Sequence, residues 1–158
     1  MNNESLIRKL IQGSIHRAVQ ESVAAVLVVI AFGAFLRQSN VGSPSYYGCL
    51  LILVGTGFIV GVVWSFALSY QLLRTHSASD TSFWREAFHS QAKLLRLAPY
   101  WYCAPLGTGA ILFVAPTAPW EFLPFLLVTF VFALIFAGVI WINRRGAAWI
   151  EDQAAQLV

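Results

Sequence analysis

The side chains that could carry reactive chemistry here are three histidines, seven carboxylates and two cysteines. Metal binding calls for ligands at a defined spacing, such as His at i and i+4. His16, His76 and His89 stand on separate segments and offer no such spacing. His76, Asp80, Glu86 and His89 lie close enough in sequence to form an ionisable cluster, but not at a spacing that builds a nucleophile, base and orienting acid. The sequence therefore predicts no catalytic residue, no metal site and no cofactor. Asn3-Glu4-Ser5 matches a glycosylation acceptor, but it falls on the side of the membrane assigned below to the cytoplasm.

A second kind of chemistry is charge inside a membrane. Proton- or cation-coupled transport needs an ionisable group at depth. The apolar runs of this chain contain hydroxyls, Thr56, Ser65, Ser69, Thr108 and Thr129, with Asn143 at an exit and Glu21 at an edge. That distribution argues against a coupled transporter.

Small residues are the more informative pattern. Gly57, Gly61, Ser65 and Ser69 recur every fourth position, and Thr129, Ala133 and Ala137 do the same further on. In lipid, where no hydrophobic force draws helices together, such faces let backbones approach. Intramolecular packing is the expectation for both, with a dimer interface the alternative. Gly55-Thr56-Gly57 and Gly107-Thr108-Gly109 lack the Lys and helix start of a phosphate loop. Close packing accounts for them.

The elements that must position these residues are apolar helices. Hydrophobic residues make up 58% of the 158 and charged residues 11%, with a mean hydropathy of +0.69. Soluble domains average roughly 25% charged, so lipid must solvate the excess. Residues 38–73 contain no Asp, Glu, Lys or Arg, and from Tyr46 the run is almost wholly apolar. At ~1.5 Å per residue it more than spans a hydrocarbon layer of ~30 Å. It must tilt or protrude, and its end near Ser69–Leu73 is expected to emerge.

Around this segment the chain reads as all-α, integral to the membrane, with four spans in two hairpins and amphipathic interfacial helices. Residues 1–17 form an amphipathic helix, with Leu6, Ile7, Leu10 and Ile11 on one side and Arg8, Lys9, Gln12, His16 and Arg17 on the other. It suits the headgroup region or serves as a plain lead-in to the first span. The spans are 18–36, 46–73, 99–115 and 122–143, with turns at 37–45 and 116–121. A cleaved signal peptide ending near Ala31-Phe32-Gly33 is disfavoured by the long leader carrying Glu4 and Glu21. Within the third span, Pro105 removes a backbone hydrogen bond, predicting a kink and a neighbouring helix at that point. Residues 144–158 form a short tail with an interfacial helix.

Residues 74–98 form the longest polar segment. Ser77, Ser79, Asp80 and Ser82 mark a turn, with Asp80 as N-cap. Phe83, Ala87, Phe88, Gln91, Leu94, Leu95 and Ala98 then line one side of a second amphipathic helix, opposite Arg85, Glu86, His89, Lys93 and Arg96.

Charge placement supplies the orientation. Nine of the ten Lys and Arg lie before the first span, in 74–98 or in the tail, and one lies in 37–45. The positive-inside rule then puts both termini and residues 74–98 in the cytoplasm. Tyr46, Tyr47 and Trp120 mark the outer boundary, and Tyr70, Tyr100, Trp101, Tyr102 and Trp141 the inner one. Cys49 and Cys103 then fall at opposite ends of their spans, too far apart for a bridge that needs Cα atoms within ~7 Å. They are expected as buried free thiols. The basic charges, set beside hydrophobic runs, follow topology and do not form a nucleic-acid stripe.

The stretch from Trp84 through Pro99-Tyr100-Trp101-Tyr102 to Pro105 and Gly107, together with the exit Asn143-Arg144-Arg145-Gly146-Ala147, resembles uncharacterised small bacterial inner-membrane proteins with two transmembrane hairpins. In those a cytosolic helix runs into a Trp-Tyr-x-x-Pro element and the last span ends in Asn-Arg-Arg. The resemblance implies a bacterial inner-membrane location and no catalytic activity. The expected role is a non-enzymatic accessory, scaffold or regulatory subunit, whose partners are the lipid bilayer and another membrane protein or a second copy. Arg85, His89, Lys93 and Arg96 are the expected cytoplasmic contacts, for protein or anionic lipid, the alternative being that they only hold the helix at the interface. The competing class is a small oligomeric exporter or channel, which in the small multidrug resistance pattern would need a carboxylate within the first span.

Overall fold

The computed structural model describes residues 3–72, 80–115 and 122–156. The expected turn at 116–121, with Trp120, and residues His76, Ser77 and Ser79 lie outside these. The described chain is helical: α1 Asn3–Gln38, α2 Pro44–Leu72, α3 Thr81–Arg96, a π turn Pro99–Cys103 leading into α4 Ala104–Phe113, and α5 Phe122–Ala155.

Among the described residues three helices are long and apolar enough to cross a membrane, lying in α1, α2 and α5. The expected third span is different. The π turn and the 10-residue α4 together reach only ~22 Å at ~1.5 Å per residue, short of a ~30 Å hydrocarbon layer. The predicted distortion also lies one turn earlier than Pro105. The amide of Ala104 donates to the carbonyl of Pro99, the wide spacing of a π turn. Pro105 itself occupies the first turn of α4, directly after the π turn. It does face a neighbour, because a Cβ added to Gly55 would meet the Pro105 ring at 3.3 Å.

The helices form two packed regions. In the first, α1, α2 and α4 run alongside one another. The turn between α1 and α2 passes through Gly42 at φ +90°, and the Ser43 hydroxyl caps α2 by accepting from the amide of Tyr46 at 3.2 Å. Gly48 and Gly109 then let the backbones of α2 and α4 touch: a Cβ on Gly48 would lie 2.7 Å from the Gly109 carbonyl oxygen. Nearer the other end of this region, Ala18, Ile59, Val63 and Ala67 are buried together against Trp101, Tyr102 and Leu106. Phe113 closes the far end, with its ring centroid 5.2 Å from those of both Phe32 and Phe35.

The second region is a bundle of the first part of α1, all of α3 and the last part of α5. Leu6, Ile7, Leu10 and Ile11 bury against Trp84, Ala87, Phe88, Ala92 and Leu95 and against Ala147, Ile150 and Ala154. Of the two roles expected for residues 1–17, the structure fits the lead-in: they are the first turns of an uninterrupted α1, with their apolar side against protein. The tail, expected as a short interfacial helix, continues α5. Water rewards burial against protein and against lipid alike, so three short apolar stripes satisfy one another here. Phe66, near the end of α2, packs on this bundle. Asp80 caps α3 as expected, accepting from the amide of Phe83 at 3.2 Å.

Candidate functional site

The two small-residue faces do not do what the sequence predicts. Gly57, Gly61, Ser65 and Ser69 are exposed, and a Cβ added to Gly57 or Gly61 would meet nothing within 4 Å. Taken at 100° per residue, they lie on the side of α2 opposite Ile52, Thr56, Ile59 and Val63, which are buried. Gly57 and Gly61 therefore make no close approach to another helix of this chain, while Ser65 and Ser69 border a groove shared with Phe83 and Ala87 of α3. The work is done instead by Gly48, Gly55, Gly107 and Gly109, each with a neighbour within 3.3 Å of an added Cβ. Ser65 and Ser69 turn their hydroxyls back onto the carbonyls of Gly61 and Ser65, both at 2.7 Å, which leaves the face apolar. On α5, Ala133 and Ala137 are likewise exposed, while the Thr129 hydroxyl is shielded and without a hydrogen-bond partner.

The expected cytoplasmic contacts lie on one side of α3. Arg85, His89, Lys93 and Arg96 are all exposed, whereas Trp84 and Phe88, on the other side, are 1% and 2% exposed. Arg96 is engaged within the chain, in an ion pair with Glu151 of α5.

A polar cluster not assembled by the sequence reading lies between the two packed regions. The charge-free part of α1 begins after Glu21 and that of α5 ends at Asn143. The Arg17 guanidinium donates to the Asn143 side-chain oxygen at 3.0 Å, so these two ends stand at one level. Asn143 is held by its own amide, which donates to the Val139 carbonyl at 2.8 Å. The Tyr102 hydroxyl, delivered by the π turn, donates to Glu21 over a long 3.4 Å. Just above, the Trp64 indole donates to the Ser22 hydroxyl at 2.8 Å. A groove of about 410 Å³ opens here, bordered by Arg17, Glu21, Tyr102 and Asn143 and by the apolar Val139 and Ile142. Outside it, the Arg145 guanidinium stacks on the Trp141 ring at 4.2 Å.

This cluster contains one cation, one carboxylate, an amide and a phenol. It can hold charged or hydrogen-bonding groups at the edge of lipid, but it presents no nucleophile paired with a base. Among the described residues, no three His, Cys, Asp or Glu side chains gather as metal ligands, and Cys49 and Cys103 are buried free thiols. The sequence marked Glu21 and Asn143 separately as residues at membrane edges, and Arg17 as part of the polar side of residues 1–17. Nothing in it could say that positions 126 residues apart share a hydrogen bond. No protein-family model matches this chain, and neither a curated protein nor a solved structure is detectably similar to it.

Proposed function

We propose that this chain is a non-enzymatic, membrane-embedded accessory, scaffold or regulatory subunit that packs against a helix of another membrane protein. Its path would cross the bilayer four times, with the π turn and α4 as the short third passage. Both termini and α3 would lie in the cytoplasm, as the flanking Lys and Arg dictate. The two-hairpin bacterial inner-membrane proteins that it resembles have this layout.

The observation that carries the reading is the outward small-residue face of α2. Gly57 and Gly61 open onto free space, while the same helix packs inside the chain through other glycines. Glycine inside a helix is less favourable than alanine by about 1 kcal/mol, and it is tolerated where another backbone comes close. The basic side of α3, with His89 and Lys93 exposed, would add a cytoplasmic contact to that partner.

A photo-crosslinking residue at Gly61, in native membranes, tests this. The expected product is one adduct with a single other polypeptide, lost when Gly57→Leu fills the face while the chain keeps its thermal stability. Adducts to lipid alone would overturn the reading. Adducts only to a second copy would favour the alternative of an oligomeric exporter or channel, and solute flux abolished by Glu21→Gln would support it.

A further inference from the structure

We propose that the groove between α1, the π turn and α5 binds the headgroup of a zwitterionic aminophospholipid, with its phosphate on Arg17 and its ammonium on Glu21. The inference rests on α1 and α5 crossing the membrane and is independent of any protein partner.

The first observation is an ion pair that does not close. Arg17 and Glu21 stand one turn apart on α1 with opposite charges, yet each turns to another group: Arg17 to Asn143 at 3.0 Å, Glu21 to Tyr102 at 3.4 Å. The order, cation before carboxylate, is also the less favourable one for a pair on a helix. The groove therefore carries a positive and a negative pole side by side, both still able to bind. Arg17 uses one of its five N–H donors on protein.

The second observation is position. These poles lie where the charge-free runs of α1 and α5 end, so they face the level at which phospholipid headgroups meet acyl chains. Charge at that level is costly unless matched by an opposite charge. Val139 and Ile142 continue the groove wall towards the apolar part of α5, in the direction that acyl chains would take.

The chemistry then selects among headgroups. A guanidinium fork suits a phosphate and binds it by charge-assisted hydrogen bonds. The neighbouring carboxylate favours a cationic donor on the same headgroup, which a primary ammonium supplies. A trimethylammonium has the charge but no N–H to donate, and a glycerol headgroup has neither. At about 410 Å³ the groove has the size of a small-molecule site.

The test uses the full chain, delipidated in detergent micelles, titrated separately with phosphatidylethanolamine, phosphatidylcholine and phosphatidylglycerol of identical acyl chains. Thermal midpoint and native mass spectrometry of bound lipid are the readouts. Phosphatidylethanolamine should act at a concentration about tenfold or more below the other two, the worth of one charge-assisted bond. Glu21→Gln should erase that preference while its amide oxygen still accepts from Tyr102, and Arg17→Gln should weaken all three lipids. Lys93→Gln, on exposed α3, should leave the preference intact. O-Phosphoethanolamine, which has no acyl chains, should have no effect at the same concentrations.

Equal midpoints for the three lipids would overturn the proposal, as would a preference for phosphatidylglycerol or an undiminished preference in Glu21→Gln. An equal effect of soluble O-phosphoethanolamine would overturn the assignment to lipid. Should Arg17→Gln fail to fold, Glu21→Gln alone decides.

Discussion

Adding one methyl group to two glycines of the same helix should move stability in opposite directions. At Gly48 a new Cβ would run into the Phe113 amide nitrogen and lie 2.7 Å from the Gly109 carbonyl oxygen. Ordinary contact begins near 3.4 Å, so α2 and α4 would have to part by about 1 Å at their closest point. What the methyl meets is backbone, which cannot swing aside as a side chain can. Overpacking of that kind costs about 2–3 kcal/mol, offset by the ~1 kcal/mol that alanine gains over glycine in a helix. Gly48→Ala should therefore lose about 1–2 kcal/mol. Gly57→Ala meets nothing within 4 Å and should gain up to ~1 kcal/mol. For a chain of this size each kcal/mol corresponds to about 2–4 °C in the midpoint. Thermal unfolding in dilute detergent, where copies are kept apart, should place the two variants on opposite sides of the parent. Alkylation of Cys49, fully buried next to Gly48, gives a local reading and should accelerate in Gly48→Ala alone. Equal midpoints for the two variants, or unchanged Cys49 reactivity, would show that the Gly48–Gly109 crossing is not where α2 and α4 are held.

Trp84, at 1% exposure the largest side chain of the α1–α3–α5 bundle, should cost about 3–5 kcal/mol on truncation to Ala, read as a lowered thermal midpoint and faster proteolysis within α3. Asp80→Ala removes the acceptor for the Phe83 amide and should cost about 1 kcal/mol. Hydrogen exchange should quicken at the first turn of α3 and stay unchanged in α2.

Much of this architecture was legible because its causes are local. The alternation of charge-free runs with Arg and Lys placed α1, α2 and α5, and Asp80 announced the start of α3 by the ordinary chemistry of a capping carboxylate. The pattern fails where two environments look alike to a side chain. Leu6, Ile7, Leu10 and Ile11 need to leave water, and the periodicity cannot say whether lipid or the underside of α3 receives them. The face of Gly57 and Gly61 is equally ambiguous, since lipid tails and protein are both apolar. The shortness of α4 was hidden for another reason. A charge-free run from 97 to 115 counts as a span by composition, but Pro99 and Pro105 divide it into a π turn and ten residues of α helix. The Arg17–Asn143 bond joins two residues that each look like ordinary membrane-edge polar groups.

The two packed regions are held by different forces, and this decides how α5 is retained. In lipid no hydrophobic drive pulls helices together, and the apolar part of α5 is largely uncovered, with Leu123, Leu127 and Phe130 at 67%, 60% and 62% exposure. Its close approach there is Gly107 beneath the Phe136 ring, 3.2 Å from an added Cβ. Beyond the end of its apolar run, Ala147, Ile150 and Ala154 are buried against α3, in a bundle that water itself drives together at about 1.5–3 kcal/mol per large side chain. Arg17–Asn143 and Arg96–Glu151 add polar ties at the same end. Helix α5 is therefore anchored by its C-terminal end, and its apolar part follows. Loosening the bundle at Trp84 should free that part to move laterally before α2 and α4 separate, because those two meet through Gly48, Gly55 and Gly109, away from the bundle. Coupling between an event at α3 and the exposed face of α5 thus needs no relay through the membrane core.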